Sequence, residues 1–360
     1  MSFGQCEVCA AVQLINSIPA KELMPIYEWI MYNEPEEHLD ALAEKISHLP
    51  GLAKGSRICG ISYKDGSLLH RLKKLGFEDT WTLNLASDMS IQERGAGVET
   101  IQDRLDSGKA KEIACRHGRS DIIVARHILE HSFKVSDFLG SLKELTAPGG
   151  YIVIEVPDCT KAIEALDYTM LWEEHSVYFT SDTLSSALDC NRFSIEYFEC
   201  YPYSFESSLI AIAKAANDKK DRQVQSVKDK EKKRAQKFFS CFKERKESYQ
   251  DYLSNFKKEK GRIAIFGAGH LTASFINYYG LEQYISFVAD DNQNKIGMYM
   301  PGSRLQIKPS SHLIKENIGL CLIGVSPQVE DKVIERNRDF MEKGGVFASI
   351  FPSDKLALKV

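Results

Sequence analysis

The sequence predicts an α/β protein of two domains, each a mostly parallel sheet covered by helices, joined by a charged helical connector. Three observations predict it. Strand-like and helix-like segments alternate through the first half, as they do where helices form the crossovers of a parallel sheet. From Ala216 to Gly261 the composition shifts to Lys, Glu, Asp and Arg. After Gly261 a second strand–turn–helix pattern opens with "RIAIFGAG".

The elements follow in order. Residues 20–48 read as helical, with apolar residues spaced by three and four. Pro35 is the expected start of a second helix there, with acids in its first turn. "SRICGIS" reads as a strand, "SLLHRLKKLG" as a helix and "TWTLNLA" as a strand. "SDIIVAR", "KVSDFLGSLKELT" and "GGYIVIEVP" then give strand, helix and a β-branched strand. "FSIEYFECY" and "SSLIAIAKA" are two closing strands, expected to be antiparallel. In the charged stretch Ala235, Phe238, Phe242, Tyr249, Leu253 and Phe256 recur at helical spacing, which predicts an amphipathic helix or helix pair with a solvated charged face. "HLTASFINYYG", "YISFVADD", "IGLCLIGVS" and "GGVFASIF" continue the last domain as helix and strands.

Composition narrows the function classes. The 360 residues suffice for two domains, and 43% hydrophobic with 27% charged residues is ordinary for a globular protein. A net charge of −4 points away from nucleic-acid partners and anionic membrane surfaces. No apolar run approaches the ~20 residues of a membrane span, and the first residues lack a signal-peptide pattern. Nine scattered cysteines, an odd number, fit reduced thiols in a cytoplasm.

Several stretches carry chemistry. In "ICGISYKDGSLL" a turn bearing Gly60 and Gly66 sits between strand and helix, where backbone and a helix N-terminus face a ligand. The next strand ends at Asn84, with Asp88 just beyond, where nucleoside-binding folds place an acid for ribose hydroxyls. The turn "RHILEH" follows a strand and bears His127, Glu130 and His131. Either these line a pocket, or Glu130 and His131 cap the following helix and His127 is a satisfied surface histidine. "LWEEHSVYFTSDTL" concentrates carboxylates, a histidine and aromatic rings, and Thr180 or Ser181 is the expected cap of the helix behind it. "FGAGHL" has the form of a dinucleotide turn without its third glycine, and "VADD" supplies acids at the next strand end.

Taken together, "CEVCAAVQL", "KDGSLL", "ARHILEH…APGGYIVIEVPD", "WEEHSVYFTSDTL" and the stretch from "IAIFGAGHL" to "GSRLQI" resemble, in order, segments of the nucleotide-sugar C-methyltransferases of deoxysugar and surface-polysaccharide biosynthesis. The resemblance implies a class I S-adenosylmethionine-dependent methyltransferase domain followed by a Rossmann-like C-terminal domain. It divides the chain into residues 1–48, a helical remnant of a zinc-binding region; 49–215, the methyltransferase-like domain; 216–260, the connector; and 261–360, the C-terminal domain. The implied reaction removes a proton beside the ketone of a nucleotide-linked keto-sugar and transfers a methyl group to the resulting enediolate.

By the same resemblance His175 is the base, Glu174 orients it or shuttles its proton, and Tyr178 faces the developing oxyanion. S-adenosylmethionine falls to Gly60, Ser62, Asp65, Gly66, Asn84, Arg126 and His127. The nucleotide-sugar falls to Tyr27, Trp172, Gly267, Gly269, His270 and Arg304, with Trp29 and Tyr32 as further aromatic candidates. Five positions depart from the family pattern: Gly60 and Asn84 stand where it has acids, Ser62 where it has glycine, Trp172 where it has tyrosine and Glu173 where it has histidine. Cys6 and Cys9 match only one of the two cysteine pairs of the family's zinc site, so no metal is expected. A cytoplasmic monomer or homodimer is expected. A pseudo-methyltransferase that retains binding without chemistry, or an NAD-dependent enzyme using the C-terminal lobe, are the competing readings.

Overall fold

The computed structural model describes residues 1–25, 27, 34–204, 206–216 and 224–359. Trp29 and Tyr32 lie outside the described residues. The chain forms two compact units: Met1–Thr160 with Glu173–Lys232, and Lys161–Trp172 with Lys233–Val360.

The first unit carries strands β1 (Phe3–Gln5), β2 (Val12–Leu14), β3 (Ile58–Gly60), β4 (Thr80–Thr82), β5 (Ser120–Arg126), β6 (Thr146–Asp158), β7 (Val177–Tyr178), β8 (Phe193–Tyr201) and β9 (Ser207–Ala215). Its main sheet has the order β4-β3-β5-β6-β9-β8. The first four strands are parallel, and β9 runs antiparallel to both β6 and β8. The two closing strands are antiparallel as the sequence predicts. Central strands are apolar on both faces because helices cover both. Ile123, Ala125, Ile152 and Ile154 meet Phe138, Leu139 and Leu142 on one side, while Ile122, Val124 and Val153 meet Leu42, Ile46, Leu68 and Leu72 on the other.

Of the stretch 20–48 that the periodicity predicts as helical, residues 26 and 28–33 lie outside the described residues. Described helix is confined to Ala20–Leu23 and Leu39–Ser47. The second helix begins four residues after Pro35, with His38 at its N-cap. There Tyr203 holds His38: its hydroxyl lies 2.6 Å from the His38 Nδ1 and accepts the His38 backbone N–H at 3.1 Å. β1, β2 and β7 form a small antiparallel sheet in which Val12 pairs with Tyr178.

The second unit holds β10 (Arg262–Phe266), β11 (Ile285–Ala289), β12 (Ile307–Lys308), β13 (Ile318–Ile323) and β14 (Val346–Ser349). All its pairings are parallel, in the order β12-β11-β10-β13-β14. Numbered within the unit this is 3-2-1-4-5, the order of a doubly wound Rossmann-like sheet short of its sixth strand. The charged stretch is a pair of helices, Val224–Ser240 and Phe242–Glu259, as its spacing predicts. It does not stand apart as a separate connector: Tyr249 packs on Phe275 and Tyr279 of the second unit.

The segment Lys161–Trp172 also belongs to the second unit, although it lies within the span assigned to the methyltransferase-like domain. Tyr168 explains its allegiance. Its ring stacks on Phe238 at 4.3 Å and meets Phe242 edge-on at 4.9 Å, while its hydroxyl donates to the Phe238 carbonyl.

Candidate active site

Parallel α/β sheets expose loops and helix N-termini at the carboxyl ends of their strands, where ligands bind. In the first unit, β3 runs into a short turn, Tyr63–Asp65, capped by Ser62, and then into the helix Gly66–Lys74. Asp65 organises the turn. One carboxylate oxygen accepts the Ser62 N–H and the other the Arg126 N–H, each at 2.8 Å. Burial pushes the Asp65 carboxyl up to about 7, against the pull of those two N–H bonds. Gly60 makes this possible, because a Cβ there would lie 2.9 Å from the Asp65 Cβ and 3.0 Å from the Leu69 Cδ1. The glycine at this position is thus required by the close approach of Asp65.

The same turn leaves room for a ligand. A Cβ on Gly66 would meet nothing within 4 Å, and the exposed Tyr63 borders the turn. At the end of β4 Asn84 is exposed, and its side-chain oxygen accepts the Ser87 N–H at 2.9 Å. Asp88 is turned inward, bonding the Asn84 N–H at 3.0 Å and lying 2.8 Å from His117 Nε2.

The end of β5 is richer. Arg126 and His127 are buried around Glu155 of β6. Arg126 Nε donates to Glu155, His127 Nε2 lies 3.1 Å from it, and His38 Nε2 lies 3.0 Å from it. Burial works against the His127 imidazolium, but the Glu34 and Glu155 carboxylates outweigh it and hold its pKa well above the usual histidine range. On Glu155 burial is likewise outweighed, by His127, His38 and Arg126, and the carboxyl stays well below its usual range.

Beyond this network the chain turns through Leu129–His131, which meets the segment Glu173–Tyr178. The Ser176 N–H donates to the Glu130 carbonyl at 2.8 Å, which ties the two segments together. His131 Nδ1 lies 3.1 Å from Glu99 Oε1 and 3.1 Å from the Glu174 carbonyl. The His131 ring meets that of His175 edge-on at 4.8 Å. A nitrogen of each histidine and an oxygen of Glu130 lie within 4.8 Å of one another, as do the corresponding atoms of Glu99, His131 and Glu174. Burial, followed by repulsion from Glu99, pushes the Glu174 carboxyl up to about 7. Tyr178 is fully buried in β7, 6.2 Å from His175 between ring centres, with Phe3 against its edge at 5.8 Å.

Buried polar atoms are nearly always paired, and exceptions mark places where water or a ligand completes the set. Among the described residues, buried side-chain atoms without a hydrogen bond include Arg126 Nη2, Glu130 Oε2, Ser132 Oγ and His127 Nδ1, the last lying 3.5 Å from Glu130 Oε1. Arg126 ends β5, and the other three sit on the turn that leaves it.

The second unit gathers another set. Gly269 caps the helix His270–Tyr279, and a Cβ on Gly269 would meet nothing within 4 Å. Gly267 differs: with φ +105°, its Cβ would lie 2.5 Å from the Val325 Cγ1, so this glycine serves packing. Trp172 packs on His270 with ring centres 4.2 Å apart. Asp290, the acid where a dinucleotide's ribose would be read, instead accepts the Ala268 N–H at 2.8 Å. Arg304 is on an exposed turn with φ +55°, and no hydrogen bond or ion pair among the described residues joins it to Gly267–His270. Tyr27 is exposed.

Sequence reasoning therefore brings together Glu174, His175 and Tyr178, and separately Trp172, Gly269 and His270. It misses Glu99, which lies on the helix Val98–Arg104. The signal was present: Val98, Ile101 and Leu105 recur at helical spacing and would have placed an acid on a short helix.

Residues 35–197 match a methyltransferase domain family, and residues 207–352 match the C-methyltransferase C-terminal domain. No curated protein matches the chain in sequence. Among solved structures it is similar to the 1,6-didemethyltoxoflavin-N1-methyltransferase of Burkholderia thailandensis, with 12% identity and a TM-score of 0.34 over 51% of this chain and 78% of that one. The magnesium protoporphyrin IX methyltransferase of Synechocystis gives 15% identity and 0.32 over 50% and 83%. An S-adenosylmethionine-dependent methyltransferase of Clostridium acetobutylicum gives 10% identity and 0.35 over 51% and 94%.

Proposed function

The chain belongs to the class I S-adenosylmethionine-dependent C-methyltransferases, and from this premise we propose that it methylates the carbon beside the ketone of a nucleotide-linked keto-sugar. One observation carries this reading. Glu130, His131, Glu174 and His175 converge where β5 meets the catalytic segment, and Glu130 Oε2 lacks a partner there.

The turn after β3 fits the cofactor, since open space at Gly66 lies at the N-terminus of a nine-residue helix, where a carboxylate is favoured. Gly66 and Asn84 would hold it, with Ser62 and Asp65 shaping the turn from within and Arg126 and His127 supporting it from behind through Asp65 and Glu155. When bound, S-adenosylmethionine supplies a methyl group activated by a positively charged sulfur.

The protein's own task is to make a carbon nucleophile. His175 takes the proton from the carbon beside the ketone, and the C–H electron pair moves into an enediolate. Histidine suits the step because its ordinary pKa is ~6.5. Glu174, half-ionised near neutrality, accepts or returns a proton beside it. Hydrogen-bond donors in a sheltered pocket stabilise the oxyanion more than they would in water, and Tyr178 is the phenol assigned to it. Trp172, Gly269 and His270 are assigned to the nucleotide-sugar, with Gly267, Arg304 and Tyr27 as the remaining candidates. The reading places the chain in the cytoplasm in deoxysugar or surface-polysaccharide assembly, supported by nine unbridged cysteines. No described helix is long and apolar enough to cross a membrane.

The test incubates the protein with S-adenosylmethionine and a panel of nucleotide-linked keto-sugars in deuterated water. Deuterium exchange beside the ketone together with a mass gain of one methyl group supports the reading. Methylation on oxygen alone, without exchange at carbon, overturns it.

A further inference from the structure

His131 Nδ1 faces two acceptors and no donor: Glu99 Oε1 at 3.1 Å and the Glu174 carbonyl at 3.1 Å. An imidazole nitrogen between two acceptors must carry a proton, because an unprotonated nitrogen there would face only lone pairs. Glu99 sits on the helix Val98–Arg104, is mostly sheltered, and is the charged member of the two acceptors. The other nitrogen of His131 is then the one whose proton is free to change. The ring also lies edge-on to His175.

We infer that Glu99 is a positioning residue that fixes the proton of His131 on Nδ1 and leaves Nε2 to exchange a proton beside Glu174 and His175. The inference deepens the methyl-transfer reading and rests on it for its catalytic meaning, while the tautomer it assigns does not depend on any substrate. Second-sphere carboxylates fix the tautomer and orientation of histidines in this way at metal and hydrolytic sites.

The charged groups around His131 come from each neighbouring element. Glu99 faces it from its helix, Glu130 from its own turn, and Glu174 and His175 from the catalytic segment. Lys64, from the turn after β3, acts on Glu99 and Glu174, and Tyr63 of that turn is itself influenced by both acids. Burial opposes the His131 imidazolium, but the Glu99 hydrogen bond and then the charges of Glu130, Glu99 and Glu174 outweigh it. Burial likewise opposes the Glu99 carboxylate, and His131 and Lys64 hold it ionised.

The experiment is histidine-selective 15N NMR of the full chain, with His131 assigned by its loss in His131→Gln. In the wild type, neutral His131 is expected as the Nδ1–H tautomer, titrating above ordinary histidines. Glu99→Gln is expected to lower that midpoint by at least about one pH unit and Glu99→Asp to recover part of it, with S-adenosylhomocysteine affinity within about twofold in all three. The same downward shift is expected in the alkaline limb of kcat. An Nε2–H tautomer in the wild type overturns the inference without any variant having to fold. An unchanged titration in Glu99→Gln overturns it as well, and so does one equivalent of zinc bound by the wild type and lost in that variant. If the tautomer and titration behave as expected but no keto-sugar is methylated at carbon, the Glu99–His131 pairing stands and the methyl-transfer reading falls.

Discussion

Asp65 accepts the backbone N–H of Arg126 at 2.8 Å, so the turn after β3 is fastened to the end of β5 by one carboxylate oxygen. Its other oxygen holds the Ser62 N–H within the turn. An amide in its place has only one acceptor oxygen. Asp65→Asn is expected to leave one of these buried N–H groups unpaired and cost about 1–3 kcal/mol. Urea unfolding and S-adenosylhomocysteine titration check it, and both stability and cofactor affinity are expected to fall.

His175→Ala is expected to reduce kcat by about 10²–10⁴, the usual range for removing a general base, with S-adenosylhomocysteine affinity nearly unchanged. Deuterium exchange beside the ketone is expected to fall in step with turnover. Exchange that persists at the wild-type rate would remove His175 as the base.

Glu174 gives stability a pH dependence. Its carboxyl is pushed up to about 7, mainly by burial and then by Glu99, whereas an unfolded glutamate titrates near ~4.3. The folded chain therefore binds this proton more tightly than the unfolded one. The contribution is full below about pH 4.3, and it is lost as pH rises through about 7. Glu174→Gln keeps a neutral side chain at every pH. Urea midpoints at pH 5 and pH 8 are expected to show the wild type losing more stability than the variant. An equal loss in both would exclude the effect.

Two glycines of one turn are expected to behave oppositely. Gly267→Ala puts a Cβ 2.5 Å from Val325 Cγ1 on a backbone with φ +105°, and a loss of about 1–3 kcal/mol follows from strain and overpacking. Gly269→Ala meets nothing within 4 Å and is expected to unfold at the wild-type temperature. If nucleotide phosphates approach this helix N-terminus, Gly269→Ala weakens nucleotide-sugar binding nonetheless. Calorimetric binding and thermal melts of both variants separate the roles.

Tyr168→Ala removes a buried ring stacked on Phe238. A loss of about 3–5 kcal/mol is expected for such a truncation, confined to the second unit. Hydrogen exchange resolved by peptide is expected to quicken in Arg262–Phe266 and His270–Tyr279 while β5 and β6 keep their protection.

Local pattern made much of this readable. The parallel core strands announce themselves as β-branched runs, the turns as Gly and Asp, and the cap of Ser181–Cys190 as Thr180, which bonds the Thr183 N–H. The four-residue delay of the helix after Pro35 was not readable, because Tyr203, far along the chain, holds His38 at its start. Nor was the allegiance of Lys161–Trp172 readable, since Tyr168 finds its partners only when Phe238 and Tyr279 are folded around it.

By itself the sequence determined two α/β sheets, the antiparallel close of the first and the paired charged helices, and it pointed to Glu174 and His175 as one candidate cluster. These rest on periodicity and on residues adjacent in the chain, which local physics constrains. Only the tertiary structure decided that Gly60 makes way for Asp65, that Asp290 is tied to Ala268, and that Glu99 reaches His131. A glycine or a carboxylate carries no mark of which distant group it will meet. That choice is made when the sheet brings its strand ends together and each buried charge must find a partner.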